Sequence, residues 1–346
     1  AKLAGSSLDV SGYVGSAPDD ADFANARVEI FKSDIDPSGY GEGQTYLGYV
    51  TTDANGNFSG TLTVSGLAVG DRITGTATDT IDNTSEFGAN VAMQAHPCPG
   101  WAVTTTADSG VPGTLRECVK EANTFSGVTL SVPAGTYTLT ITGQGEDAAA
   151  NGDLDITSNM TINGAGAGST IIQAGTDATN GIDRVFHLLA DATLSDLTVR
   201  FGNLDTGVEG GGIYIDDAAV VNLTEVAVQN NTGKHGGGIY NKNGTLTVNA
   251  STLSGNAAAS GHGGGLYHDG GTTATLTNVT FSGNSATSDG GGIYGNDPLT
   301  LVNVTLTKNT ADKGGGIRRN GGTASLKNTI IAGNTASSGP NCEGTI

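Results

Sequence analysis

Two histidines and an aspartate mark the place where this sequence most resembles a chemical site. His235, His262 and Asp289 each stand directly before a Gly-Gly-Gly triplet, in series with Glu209 and Lys313. Stacked on adjacent turns, imidazoles flanked by carboxylates have the donor types for a divalent metal or a general base. The same column also reads as a solvated edge of alternating charge, the commoner outcome at strand spacing. Tyr214, Tyr240, Tyr267 and Tyr294 recur just after the triplets, each behind an Ile or Leu. Facing outward, they make either a flat strip for sugar rings or a ladder gaining about 0.2–1 kcal/mol per stacked pair. Arg318 and Arg319, with Lys313, are the densest basic group. Beside Tyr294 they offer the cation and base types that a polyuronate lyase or epimerase needs. Asp216, Lys242 and Asp269 alternate in sign, as ion pairs between neighbouring turns would.

What would bring these residues into columns is the repeat itself. The triplets begin at Gly210, Gly236, Gly263, Gly290 and Gly314, at intervals of 26, 27, 27 and 24 residues. A period in the twenties, built from short β-prone runs, marks a solenoid with one turn per repeat. Alignment on Asn231, Asn256, Asn284, Asn309 and Asn334 stacks the apolar residues into three columns. One holds Ile213, Ile239, Leu266, Ile293 and Ile317; the second Leu223, Val248, Leu276, Leu301 and Leu326; the third Val228, Leu253, Phe281, Leu306 and Ile331. Alternation with Thr, Ser and Asn is the period of a strand with one buried face. Three such strands per turn predict a right-handed parallel β-helix with turns about 4.8 Å apart. The Asn column then bonds amide to amide along the stack, and the glycines supply the sharply bent corners.

The chain ahead of the repeats reads differently. In residues 1–91 the segments at 8–14, 26–31, 45–52, 57–64 and 71–78 alternate as strands between turn-rich segments, which predicts a small β-sandwich. Asp53-Ala54-Asn55-Gly56-Asn57 carries the Asn-Gly hairpin signal. It is also a candidate Ca2+ loop, although Phe58 stands where an EF-hand loop needs Gly. Asp19, Asp20 and Asp22 offer a second Ca2+ candidate, and ordinary turn chemistry accounts for both. Residues 92–123 read as an extended, Pro-stiffened linker and one amphipathic helix. Leu115, Cys118, Val119 and Ala122 share a face, and Thr114 with Glu117 makes a capping box. This helix is expected to plug the first of about eight coils spanning 124–346. Of three cysteines, Cys98 and Cys118 are expected to form a disulfide worth about 3 kcal/mol. The partner of Cys342 is expected beyond Ile346, so that the last coil is truncated; the start at Ala1 likewise points to a piece of a longer polypeptide.

The chain has 346 residues, 34 acidic against 15 basic, and a net charge of −19. Such a balance opposes binding to nucleic acid, anionic membranes and polyuronates. No run approaches the roughly 18 apolar residues of a membrane helix. The sequons at Asn222, Asn249, Asn278 and Asn303 recur because Asn and Thr are the repeat's own residues.

The string Asp36-Pro37-Ser38-Gly39-Tyr40-Gly41-Glu42-Gly43-Gln44-Thr45-Tyr46-Leu47-Gly48, followed by TTDANGNF and TATDTIDNTSEF, resembles an immunoglobulin-like module of large secreted bacterial surface proteins. GTLRECVKEAN and the GGGIYN and LTNVTFSGN repeats resemble the pectate-lyase-like β-helix of adhesin-type and polymorphic outer-membrane proteins. The resemblance implies an all-β chain: an Ig-like sandwich, a capping helix, then the β-helix. It implies an extracellular or cell-surface place, and partners that are further copies, neighbouring domains or glycans. Because this fold also hosts lyases and epimerases, it does not by itself choose an activity. The expectation is a non-enzymatic structural or adhesive scaffold of an appendage, filament or large adhesin. The alternative is a polysaccharide lyase, an epimerase or a carbohydrate-binding β-helix.

Overall fold

The alternating segments of the first hundred residues form strands that close into two four-stranded sheets. The computed structural model describes residues 1–34, 39–204, 207–216, 218–270 and 272–345; Asp36, Pro37 and Ser38 of the immunoglobulin-like string lie outside them. One sheet orders Asn57–Thr63, Ser7–Tyr13, Lys2–Ala4 and Gln94–Ala95. The other orders Gly43–Thr51, Arg27–Ser33, Arg72–Thr78 and Val91–Ala92. Leu8, Val10, Val28, Ile30, Val50, Leu62, Ile73 and Met93 fill the core between them. The Asp53–Asn57 segment is a tight turn, with the Asp53 N–H donating to Asn57 O at 2.7 Å. The strands on either side of it belong to different sheets, so it arches across the sandwich and does not close a hairpin.

Inside this unit Asp9 is 4 % exposed and His96 is 2 % exposed. His96 Nε2 lies 3.0 Å from Asp9 Oδ2, while His96 Nδ1 accepts the Cys98 N–H at 2.8 Å. Burial alone pushes the Asp9 carboxyl up, but hydrogen bonds from His96 and from the Thr61 hydroxyl outweigh it and hold it below its ordinary value. Cys98 and Cys118 are both disulfide-bonded, and Cys342 is free.

From residue 101 onward the chain winds three parallel sheets of eight strands each. The first runs from Val128–Ser131 to Ala324–Lys327, the second from Gly135–Thr138 to Ile330–Ile331, the third from Leu154–Ile156 to Cys342–Glu343. A fourth ladder of five short strands, from Thr232–Gly233 to Thr335–Ser338, is added in the later turns. All three predicted apolar columns are in register, for example Ile239 on Leu266 on Ile293 and Leu253 on Phe281 on Leu306. Their members are buried except Leu326 and Ile331 in the last turn, which are partly exposed. One helix, Leu115–Ala122, packs on Val128–Ser131 and Leu154–Ile156 and so covers the first turn. Thr114 caps it by accepting the Glu117 N–H at 3.3 Å, but the Glu117 carboxylate turns to Lys120 Nζ, 2.8 Å away. The predicted capping box is therefore only half formed. Pro99–Trp101 makes a turn where an extended link was expected.

The triplet corners show why three glycines are needed. Gly263 has φ +69°, a methyl on Gly264 would strike the Ser285 carbonyl oxygen, and one on Gly265 would strike that of Gly292. At the Asn corner each amide donates to the next. Asn256 Nδ2 reaches Asn284 Oδ1 at 2.9 Å, and Asn284 Nδ2 reaches Asn309 Oδ1 at 2.9 Å. The backbone N–H groups of Asn256 and Asn284 follow the same path at 3.1 and 3.0 Å. Asn341 ends the series, accepting from Asn334 Nδ2 at 3.2 Å.

Asn284→Ala would strand buried donors on Asn256 and the Leu253 carbonyl, each costing about 1–3 kcal/mol. The expected loss in urea unfolding is therefore about 3 kcal/mol or more; a loss under about 1 kcal/mol would show the ladder to be passive. Because Asp9 is depressed in the folded state, its contribution is present above the unfolded carboxyl value and lost as pH falls through the folded one. Asp9→Asn should accordingly flatten the stability profile between about pH 5 and pH 2.

Candidate functional site

The outward column of the third sheet gathers the tyrosines. Tyr214, Tyr240, Tyr267 and Tyr294 pair in register. Tyr240 on Tyr267 and Tyr267 on Tyr294 stack at 4.8 and 5.0 Å between centroids, each 13° from parallel. Tyr214 on Tyr240 is more tilted, at 5.3 Å and 48°. Rings stacked this way turn their faces to one another and only their edges outward, so a sugar meets no open aromatic face along the strip. Burial raises all four phenols, with Tyr240 pushed up to about 12. A tyrosinate base at neutral pH is thereby disfavoured.

His235 and His262 form a second rank beside the ladder, stacked at 5.2 Å and 6°. His235 Nδ1 accepts the His262 N–H at 3.0 Å, and His262 Nδ1 accepts the Asp289 N–H at 3.2 Å. Those nitrogens are thus engaged by backbone. Parallel rings one turn apart also keep their nitrogens from converging, so His235, His262 and Asp289 do not assemble as a chelating group. Burial lowers both imidazoles, which favours their neutral forms.

Arg318 and Arg319 do not form a common basic patch. As neighbours on the strand Ile317–Arg319 they point to opposite faces. Arg318 continues the tyrosine column beneath Tyr294, with Asp289 Oδ2 3.7 Å from its Nε and Glu343 Oε1 3.9 Å from its Nη1. Arg319 is 3 % exposed and donates inward from Nη2 to the carbonyls of Asp297 (2.7 Å) and Gly321. Lys242 pairs with Asp216 at 2.9 Å, the expected bond between turns. In the sandwich, Asp53 Oδ1 accepts the N–H groups of Asn55 and Asn57, and Asp20 Oδ1 accepts that of Asp22. Asp19 Oδ1 accepts the Asn57 side-chain amide at 2.6 Å. These carboxylates act as turn acceptors.

The one group of three metal-donor side chains within chelating range among the described residues lies elsewhere, and the sequence reading missed it. Asp147, Asp155 and His187 place one donor atom each within 4.8 Å of one another. Asp155 and His187 sit two turns and one turn before Tyr214 in the same outward column, and the His187 ring stacks on Tyr214 at 4.9 Å. The tyrosine column continues upward through both, but turns of unequal length before Gly210 hide that register in the sequence. Asp147 comes from the long segment between the second and third strands of the first turn. Arg116 on the capping helix organises that segment: its Nη atoms donate to the carbonyls of Ala149, Gly152 and Asp153 at 3.1, 2.7 and 2.9 Å. Asp108 holds the same guanidinium at 2.7 and 3.2 Å. Asp153 and Asp183 are buried nearby, with Arg184 Nη1 3.4 Å from Asp153 Oδ2. Burial, with like charge from Asp183 and Asp155, pushes Asp153 up to about 8.

No solved structure matches the chain. Residues 278–296, which hold Phe281, Asn284, the Gly290 triplet and Tyr294 of a single turn, match the family model described as Chlamydia polymorphic membrane protein (Chlamydia_PMP) repeat.

Proposed function

We propose that the chain is an adhesin-like structural rod of a cell surface, with no catalytic role. The observation that carries this reading is the closure of side-chain columns on their own copies. The Asn amides, tyrosine faces and paired charges each find their partner one turn away. Such a surface is stiff and repetitive, and it offers few unmatched groups to a substrate. The matched repeat supports a place at the bacterial surface, and none of the helices described is long and apolar enough to cross a membrane. Contact is then made through edges and ends. Tyr13, Tyr46 and Tyr49 are exposed on the sandwich, and Ile330 on the last turn is 60 % exposed. We infer association of one copy's sandwich with another's last turn, or with neighbouring domains or glycans at the cell surface.

The runner-up is a lyase or epimerase acting on an acidic polysaccharide. Its basic pair is divided between the two faces of a strand, its tyrosines are raised, and its net charge repels polyanions. Light scattering should show an average mass that grows with protein concentration, and a constant monomer mass would remove the self-association. Incubation with pectate and alginate should release no unsaturated product. Release that disappears in Arg318→Ala would replace the rod reading with the enzymatic one.

A further inference from the structure

The Asp147, Asp155 and His187 group is built differently from the surrounding columns. The Asn and Tyr columns repeat one residue type, whereas here Asp155 and His187 on successive turns are joined by Asp147 from the long segment before Leu154–Ile156. Asp155 is fully buried and His187 is 8 % exposed. Asp155 Oδ2 is fixed by the Ala149 N–H at 2.7 Å, which leaves Oδ1 directed at His187. Asp147, by contrast, has a side chain 69 % exposed and closes the group from the solvent side.

The distances suit a shared ion as well as the hydrogen bond that His187 Nδ1 and Asp155 Oδ1 make without one. His187 Nδ1 stands 3.2 Å from Asp155 Oδ1 and 3.4 Å from Asp147 Oδ1. Two donors on one tetrahedral zinc, each about 2.0–2.2 Å from the metal, are separated by about 3.3–3.5 Å. His187 Nε2 is buried without a hydrogen-bond partner whichever nitrogen carries the proton, so it does not separate the two cases.

We propose that Asp147, Asp155 and His187 bind a divalent first-row transition metal, zinc by its donor set, with the fourth position open to water on the Asp147 side. An imidazole with two carboxylates suits zinc better than calcium or magnesium, which take oxygen donors. Three protein ligands leave a tetrahedral ion one exchangeable place. The ion would also tie the segment held by Arg116 to the third sheet, locking the capped end of the solenoid.

The test uses the full chain, stripped with chelator and titrated with Co2+ as a visible probe, then with Zn2+ in competition. One Co2+ per chain should bind with ligand-field bands of tetrahedral intensity, and one equivalent of Zn2+ should displace it. Asp147→Asn, whose side chain faces solvent, should keep the metal-free protein's melting temperature and weaken Zn2+ binding about tenfold or more. His187→Gln should abolish the Co2+ bands, while a His235→Ala, His262→Ala double variant should retain them. Absence of saturable binding by the folded wild-type chain overturns the proposal. Binding that survives Asp147→Asn and His187→Gln unchanged, or that is lost with His235 and His262, overturns it as well.

Discussion

Parallel pairing of one turn on the next is the constraint to which everything else in the solenoid answers. A turn cannot choose its neighbour's register side chain by side chain; once the triplet N–H groups bond to the next triplet's carbonyls, as Gly264 does to Gly290 O at 3.1 Å and Gly265 to Gly292 O at 3.1 Å, the whole column is set. At strand spacing an atom's nearest outside neighbour is then its own equivalent about 4.8 Å away. A residue type is tolerated in a column only if it can sit on itself. Branched aliphatics do so by dispersion, Asn by donating and accepting along one line, Tyr by face contact. Like charges cannot, which is why Asp216, Lys242 and Asp269 alternate.

The same constraint explains where the interior departs from oil. The second inward column of the third sheet begins as Ile156, Leu188 and Ile215, then becomes Asn241, His268, Gly295 and Arg319. Asn241 closes on the Gly244 carbonyl at 2.7 Å and meets His268 Nδ1 at 3.1 Å. Arg319 reaches carbonyls at its own corner, and it has room to do so because Gly295 above it has no side chain: a methyl there would collide with Nη1. Two of the Arg319 nitrogens, Nε and Nη1, remain buried without a partner. A polar vein of this kind is costly wherever a donor is left over. It survives beside apolar columns that bury nearly every large side chain around it.

Regularity also decided what could be read from the sequence. From Gly210 onward a single alignment on Asn placed Ile239, Leu266 and Ile293 correctly one above another, because each repeat supplies an independent copy of the same pattern. The helix face of Leu115, Cys118, Val119 and Ala122 was legible for the ordinary reason of period. Before Gly210 the turns differ in length, so His187 and Asp155 could not be seen as members of the tyrosine column without the coordinates. Nothing in the helix pattern marks Arg116 as buried; its burial follows from Asp108 and the carbonyls of 149, 152 and 153 converging on it. Treating Arg318 and Arg319 as one basic group ignored strand alternation, a local rule that the sequence did carry. The short strands Lys2–Ala4 and Gln94–Ala95, at one end of their sheet, were beyond pattern reading, since they exist through pairing and not through any periodicity of their own.

Chemistry in such a molecule is pushed toward its irregular end. A repeat that must stack on itself cannot easily gather unlike groups at one point, because every substitution that suits a ligand must also suit the turns above and below. That conflict is relaxed where one turn carries extra chain. The segment before Leu154–Ile156 lies over the third sheet's first turns without being copied further down, so Asp147 approaches His187 with no second Asp147 to repel it. The cap makes this arrangement affordable: Arg116 both buries the helix against the first turn and satisfies three carbonyls that a long loop would otherwise leave bare. Sealing an open solenoid end and assembling a mixed group of donors are therefore one structural solution, and the regular turns beyond it are left to supply length and stiffness.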